Sequence, residues 1–207
     1  MRPQLPLTAL ALTTSAAAAC DRATLQAATA ALIKSQTAGK TDALPLSPNI
    51  TYLENDTPTP LSKSILTTPL PIDLSRSLHD TTACATFTEI IAASAPHPYV
   101  LMTRMLLSPS GTSITAIENV VADAGDWLFN AQGSLTNSKK ETWDVIAEGK
   151  RDKREVIKAA GDAYLDSWAD GKVKVPYGGT CARLEGGSYT TNCKMPEFPK
   201  EFKDAGG

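Results

Sequence analysis

Three charged residues stand at positions from which they could act together. The runs 83–92 (ACATFTEIIA), 99–107 (YVLMTRMLL) and 113–121 (SITAIENVV) read as strands, since β-formers cluster between short breakers. Side chains alternate along a strand. Phe87, Glu89 and Ile91 therefore share one face, Val100, Met102, Arg104 and Leu106 a second, and Ile114, Ala116, Glu118 and Val120 a third. Each apolar face carries one charge. If the three faces coincide, they enclose an apolar cavity with Arg104 between Glu89 and Glu118. Such a cavity suits a cyclase or isomerase: it binds an apolar substrate and aims donors at a carbonyl that gains negative charge. A cycloaddition needs no cofactor, because holding two reactants in register supplies much of the acceleration. The competing expectation is a structural ion-pair network, or charges facing solvent from a one-sided sheet.

Other residues invite the same weighing. His79 precedes Asp80, the order of an oriented base, although an adjacent His and Asp in a loop are also ordinary surface. Tyr52 and Glu54 on one strand, and Arg183 and Glu185 on another, read either as cavity lining or as structural pairs. Trp127, Trp143 and Trp168 read as core, with a pocket mouth as the alternative for Trp127 beside Asp126. GxSxG, HExxH and glycine-rich phosphate loops are all missing from the sequence, and the glycine pairs at 178–179 and 186–187 do not stand between a strand and a helix. With no CxxC and only His79 and His97 as imidazoles, a zinc site is disfavoured, so neither metal nor cofactor is expected.

These residues need elements to hold them. Asp21 to Gly39 reads as a helix, with Asp21 as cap, Leu25, Ala28 and Leu32 as its apolar stripe and Gly39 as its stop. Residues 42–82 are rich in Pro, Ser and Thr and predict irregular structure with short strands. The three strand-like runs then predict an antiparallel meander. Lys140 to Trp168 reads as helix, with Trp143, Ile146, Val156, Ile157, Ala160, Tyr164 and Leu165 at apolar positions and Gly149 as a possible break. A weak internal repeat runs through this pattern. At an offset of 131 (152 − 21), Asp21-Arg22 falls on Asp152-Lys153, Pro45 on Pro176 and Leu53-Glu54 on Leu184-Glu185. The domain expectation is a cone-like α+β unit over 20–150 and a partial second unit over 151–207.

The compartment is legible as well. Arg2, the apolar run Leu5–Leu12 and the Ala-rich stretch before Cys20 predict a signal peptide over 1–19. A lipoprotein reading competes through Cys20, but Ala17 stands where a lipobox carries Leu. Later apolar runs are too short to span a bilayer. Export makes four cysteines read as two disulfides. Of the three connectivities, Cys181 with Cys193 is favoured by proximity and Cys20 with Cys84 by elimination. Sequons at Asn49 and Asn55 predict glycosylation on a eukaryotic secretory route. The net charge of −2 gives a nucleic-acid partner no electrostatic basis.

Four stretches carry a resemblance: DTTACATFTE at 80–89, GDWLFNA at 125–131, GDAYLD at 161–166 and CARLEGGSYT at 181–190. They resemble a family of secreted filamentous-fungal proteins of unassigned domain function, similar to tandem NTF2-like/SnoaL-like cones, in which helices pack on a curved antiparallel sheet. Members of that family continue well past the position of Cys193, so the resemblance implies a truncated second repeat. It also implies a cofactor-free cyclase or isomerase of fungal secondary metabolism, with hetero-Diels–Alder coupling of polyketide and terpenoid precursors as the sharpest form. Its expected partner is a small hydrophobic molecule. A secreted binding protein or effector, or an inactive paralogue, is the alternative, and the sequence leaves the oligomeric state open.

Overall fold

The computed structural model describes residues 20–191 and 193. The expected signal peptide lies outside the described residues. The first helix, α1 (Arg22–Ala38), starts where Asp21 turns extended and accepts a bond from the Thr24 amide at 2.7 Å. It stops at Gly39, whose left-handed φ of 62° lets its amide reach back to the Ser35 carbonyl. Gly39 is required for a second reason: a Cβ there would lie 2.6 Å from the Pro69 nitrogen. Leu25, Ala28 and Leu32 recur at helical spacing and are buried. Gln36 is fully buried, and its Nε2 donates to the carbonyls of Ile65 and Thr68, both at 2.9 Å. It thus satisfies an otherwise irregular segment that lies against the helix.

Among the described residues, eight strands follow in two sheets. A six-stranded sheet orders β1 (Leu46–Glu54), β2 (Thr57–Pro58), β3 (Leu74–Asp80), β4 (Ala85–Ala92), β5 (Tyr99–Leu107) and β6 (Ile114–Ala122) as β2-β1-β6-β5-β4-β3. It is mostly antiparallel, with β1 and β6 the parallel pair. The chain is therefore α+β. The region 42–82, read as irregular with short strands, contains three of these strands, β1, β2 and β3. The pairing of β1 with β6 shifts register between Leu46 and Thr51, around Pro48, which cannot donate to a ladder. That interruption hides β1 from a pattern search. A second, two-stranded sheet joins β7 (Arg183–Glu185) to β8 (Ser188–Thr190).

The helix expected over 140–168 is corrected. Helix α2 occupies Ala131–Ser138, capped by Asn130, whose Oδ1 accepts from the Gly133 amide. Helix α3 begins only at Arg154 and ends at Ala169. Between them, 3-10 structure occurs only at Glu148–Lys150, around Gly149. Trp143, Val145 and Ile146 are all at least half exposed, so no burial supports helix formation there.

The described residues form two compact units. One takes the residues up to Leu70, with Arg76–Glu89 and Met102–Val120; it buries Leu25, Leu32, Leu66, Leu70, Met105, Ile114 and Ile117. Within it, Cys20 is bridged to Cys84 with a Cα separation of 5.3 Å. The other takes Pro71–Ser75, Ile90–Leu101 and the residues from Val121 on; its buried side chains include Ile90, Ile91, Leu101 and Leu135. There Cys181 is bridged to Cys193, with Cα atoms 5.5 Å apart, the spacing that a disulfide accepts.

One register recurs between them. Adding 131 to α1 (22–38) gives 153–169, against 154–169 for α3. Adding it to the end of β1 (54) and to β2 (57–58) gives 185 and 188–189, against 185 and 188–190 in β7 and β8. The turn residues agree as well. Asn55 and Asp56 have φ of 47° and 60°, and Gly186 and Gly187 have 56° and 98°. Two successive left-handed residues make the tight turn that a two-residue hairpin requires.

Candidate functional site

In the first unit the residues singled out from sequence fall at three separate places. Tyr52 is buried on β1, and its hydroxyl donates to Glu54 Oε1 at 2.5 Å. The same oxygen accepts the Ile65 amide at 2.6 Å. Burial, then the Glu54 bond, pushes the Tyr52 phenol far above its ordinary value, so it remains a donor. Nearby, Thr103 Oγ1 donates to Asn119 Oδ1 at 2.9 Å, with both residues buried. Tyr52 and Glu54 thus close a hydrogen-bonded knot that fixes the end of β1 to the 3-10 turn at 65–67.

Arg104 and Glu118 do meet, at 2.5 Å, but with side chains 49% and 41% exposed. The buried face of β5 is Leu101, Thr103, Met105 and Leu107, and β6 buries Ile114 at its start and then Ile117 and Asn119. The enclosed apolar setting expected for Arg104 is therefore corrected: the charges take the opposite, more open face. Glu89 is half-buried on β4 beside the exposed Phe87, between the buried Thr88 and Ile90. His79 on β3 bonds Thr29 of α1, with 3.1 Å between Nε2 and Oγ1. Burial, then the positive charge of Arg22, lowers its pKa. Asp80 accepts the amides of Thr82 and Ala83 at 3.0 Å, which forms the following turn. Asn49 and Asn55 are exposed, so both sequons are open to a glycosyltransferase.

The second unit carries a surface groove. Gly186 and Gly187 turn β7 into β8 against the main chain of residues 127–130: a Cβ on Gly186 would lie 2.7 Å from the Trp127 carbonyl oxygen, and one on Gly187 would collide with Asn130. Trp127 itself is half exposed, and with Trp143 and Trp168 also exposed the core role expected of the three tryptophans is corrected. Behind the turn, Tyr164 of α3 donates to Glu185 Oε1 at 2.8 Å, and Arg183 Nη1 lies 3.5 Å from the same oxygen. Arg183 is buried, and burial together with Glu185 raises the Tyr164 pKa. This cluster anchors β7 to α3. Beside it opens a groove of about 700 Å³, lined by Tyr177, Gly178, Gly179, Thr180 and Tyr189 and walled by the Cys181–Cys193 bridge. Among the described residues its lining contains no Asp, Glu, Lys, Arg or His. Tyr177 and Tyr189, 39% and 50% exposed, offer aromatic surface, while threonine hydroxyls and glycine amides offer hydrogen bonds. Sequence reasoning missed both tyrosines, although the glycine pairs and cysteines flanking them were the available signal.

Residues 150–205 match the family model described as Domain of unknown function (DUF8021). No curated protein matches the chain. The matched stretch contains α3, β7, β8 and the groove. Among the described residues no helix is long and apolar enough to cross a membrane, and no three His, Cys, Asp or Glu side chains gather as a metal site would need.

Proposed function

We propose that this is a protein of the secretory pathway that binds a small, neutral, largely apolar molecule in the disulfide-walled groove of its second unit. The observation that carries the reading is the groove's lining: about 700 Å³, with two tyrosines and, among the described residues, no ionised side chain. A charged ligand would find no counter-charge there, whereas an apolar body with a few polar atoms would find ring faces, hydroxyls and amides. Two disulfides fit an oxidising compartment. The resemblance to fungal proteins of secondary metabolism directs the choice of ligand toward polyketide and terpenoid precursors. The test is calorimetric titration of the purified, disulfide-intact protein with such precursors. Binding that weakens about tenfold or more in Tyr189→Ala and Tyr177→Ala is expected. Binding indifferent to both substitutions, or none across the panel, rejects the reading.

A cofactor-free cyclase in an NTF2-like cone is the second reading. It is supported by the mostly antiparallel sheet packed with α1 and by the solvent-accessible Arg104 guanidinium, which could reach a substrate carbonyl. Incubation with paired precursors decides it. A product ratio equal to that of the uncatalysed mixture, and unchanged in Arg104→Ala, removes it.

A further inference from the structure

Adjacent basic residues occur at three places in the sequence: Lys139-Lys140, Lys150-Arg151 and Lys153-Arg154. The fold treats the three pairs differently. Lys139 closes α2, its amide bonded to the Leu135 carbonyl, and the Lys140 amide and Nζ both bond Asn137 at 3.0 Å. Arg154 opens α3, and the Val156 and Ile157 amides behind it bond the Lys153 carbonyl. Lys150-Arg151 belongs to neither helix. Residues 141–147 before it form no helix or strand, and every residue from Lys139 to Ala159 is exposed. Arg151 is extended, with φ −83° and ψ 128°, and so is Lys153, with φ −68° and ψ 150°.

An endoprotease takes its substrate as an extended strand, so the main chain around the scissile bond must first leave its own hydrogen bonds. At Arg151 these are few. The 3-10 turn has the Lys150 amide on the Ala147 carbonyl at 2.8 Å and the Arg151 amide on the Glu148 carbonyl at 3.2 Å. Arg151 Nε donates to the Ile146 carbonyl at 2.7 Å. All three are exposed, and water can replace them. At the other two pairs a helix end has to unwind. We propose that Lys150-Arg151 is a processing site, at which an endoprotease of the secretory pathway that reads two successive cations cuts the Arg151–Asp152 bond. Its subsites would be carboxylate-lined, one taking the Arg151 guanidinium in a forked pair and the next the Lys150 ammonium. Water adds across the amide: its hydroxyl goes to the Arg151 carbonyl carbon, its proton to the Asp152 nitrogen, and the C–N bond breaks.

The disulfides give the cut its consequence. Cys20–Cys84 lies wholly before it and Cys181–Cys193 wholly after it, so only the main chain joins the two sides covalently. The side that starts at Asp152 carries α3, β7, β8, the Tyr164–Glu185 bond and the residues that line the groove. Buried hydrophobic side chains, among the described residues, end at Leu135. The cut thus falls after the chain has left its apolar core, and each side keeps its own bridge. The inference rests on the secretory-pathway part of the proposed function and makes no use of the groove's ligand.

The test is to incubate the purified, disulfide-bonded protein with a purified endoprotease specific for paired basic residues. The digest is then denatured without reductant and weighed by mass spectrometry. Two separate chains are expected, one starting at Asp152. Arg151→Gln should slow the cut roughly 100-fold or more, because the subsite loses its ion pair. Lys140→Gln and Lys153→Gln should leave the rate unchanged, and all three variants, being at exposed positions, should melt like the parent. Leu32→Ala, which loosens the packed segment, should also leave it unchanged. A rate raised about 100-fold by Leu32→Ala would mean that the protease waits for global unfolding, and overturns the proposal. So do a first cut after Lys140 or Arg154, a folded protein that is not cut, and an Arg151→Gln variant cut as fast as the parent. Protein secreted by a eukaryotic host should arrive cut when the host carries such a protease and whole when its gene is deleted. Whole protein from both hosts overturns the proposal as well, whereas a failed ligand titration leaves it standing.

Discussion

Two helix–hairpin segments of this chain share a register but not a fate. In the first, α1 buries Leu25, Ala28 and Leu32, and β1 continues from its hairpin into the six-stranded sheet. In the second, α3 buries only Ser167, and β7 and β8 pair only with each other. Every buried hydrophobic residue among the described ones lies between Cys20 and Leu135. Local sequence can thus write the same helix, turn and strand twice. What separates them energetically is the apolar surface each removes from water, about 25 cal/mol per Å².

The largest break in the comparison comes from the disulfides. Cys20→Ser with Cys84→Ser opens a 64-residue loop in the well-packed segment and should cost about 4 kcal/mol in the chain-entropy model. Cys181→Ser with Cys193→Ser should barely move the main thermal transition, because the hairpin it holds contributes little core. Its effect should appear as faster amide exchange in β7 and β8. Equal shifts in melting temperature for the two pairs would erase the distinction drawn here.

Next in size are single truncations on the two helices. Leu32→Ala removes a fully buried side chain and should cost about 3 kcal/mol by denaturant titration. Leu165→Ala, at a position 67% exposed, should stay within about 0.5 kcal/mol by the same titration.

The two carboxylate-bound tyrosines sharpen the contrast further. Tyr52→Phe should cost about 1–2 kcal/mol, because the hydroxyl bonds a carboxylate inside the packed segment. Tyr164→Phe should cost about half that, since its surroundings are wetter.

The smallest effect is one of pH. His79 has a lowered pKa in the folded state, through burial and then Arg22. Its neutral form is the one the fold prefers, so its contribution is fully present above the ordinary imidazole value near 6.5 and is lost as pH falls below it. Thermal melts at pH 7.5 and 5.0 should show this loss, and His79→Gln should flatten that part of the profile.

Much of this was legible residue by residue. The cap at Asp21, the stop at Gly39 and the strands around Phe87, Arg104 and Glu118 follow from short-range chemistry that needs no partner. Strand β1 was less legible, because Pro48 and a register shift break its alternation. Of the helix expected over 140–168 the second half forms as α3, while the first half fails for a related reason: Trp143 and Ile146 look like a stripe, but both are more than half exposed. The groove escaped notice because its two tyrosines are twelve residues apart and face each other's neighbourhood only after the hairpin turns. Alternation correctly put Arg104 and Glu118 on one side of their strands. It could not say which side of the sheet would be packed.

The sequence by itself determined the local devices: caps, left-handed turn residues, the pairing of alternate side chains, and the chemistry available to four cysteines in an oxidising compartment. These depend on neighbours a few residues away, where sterics and short hydrogen bonds dominate. Tertiary structure alone decided which faces lost water. It sealed Leu101 and Met105 inward and left Arg104 outward, and it packed α1 while leaving Ile157 and Leu165 of α3 in the open. Burial is a property of the assembled surface, and no single segment can state it.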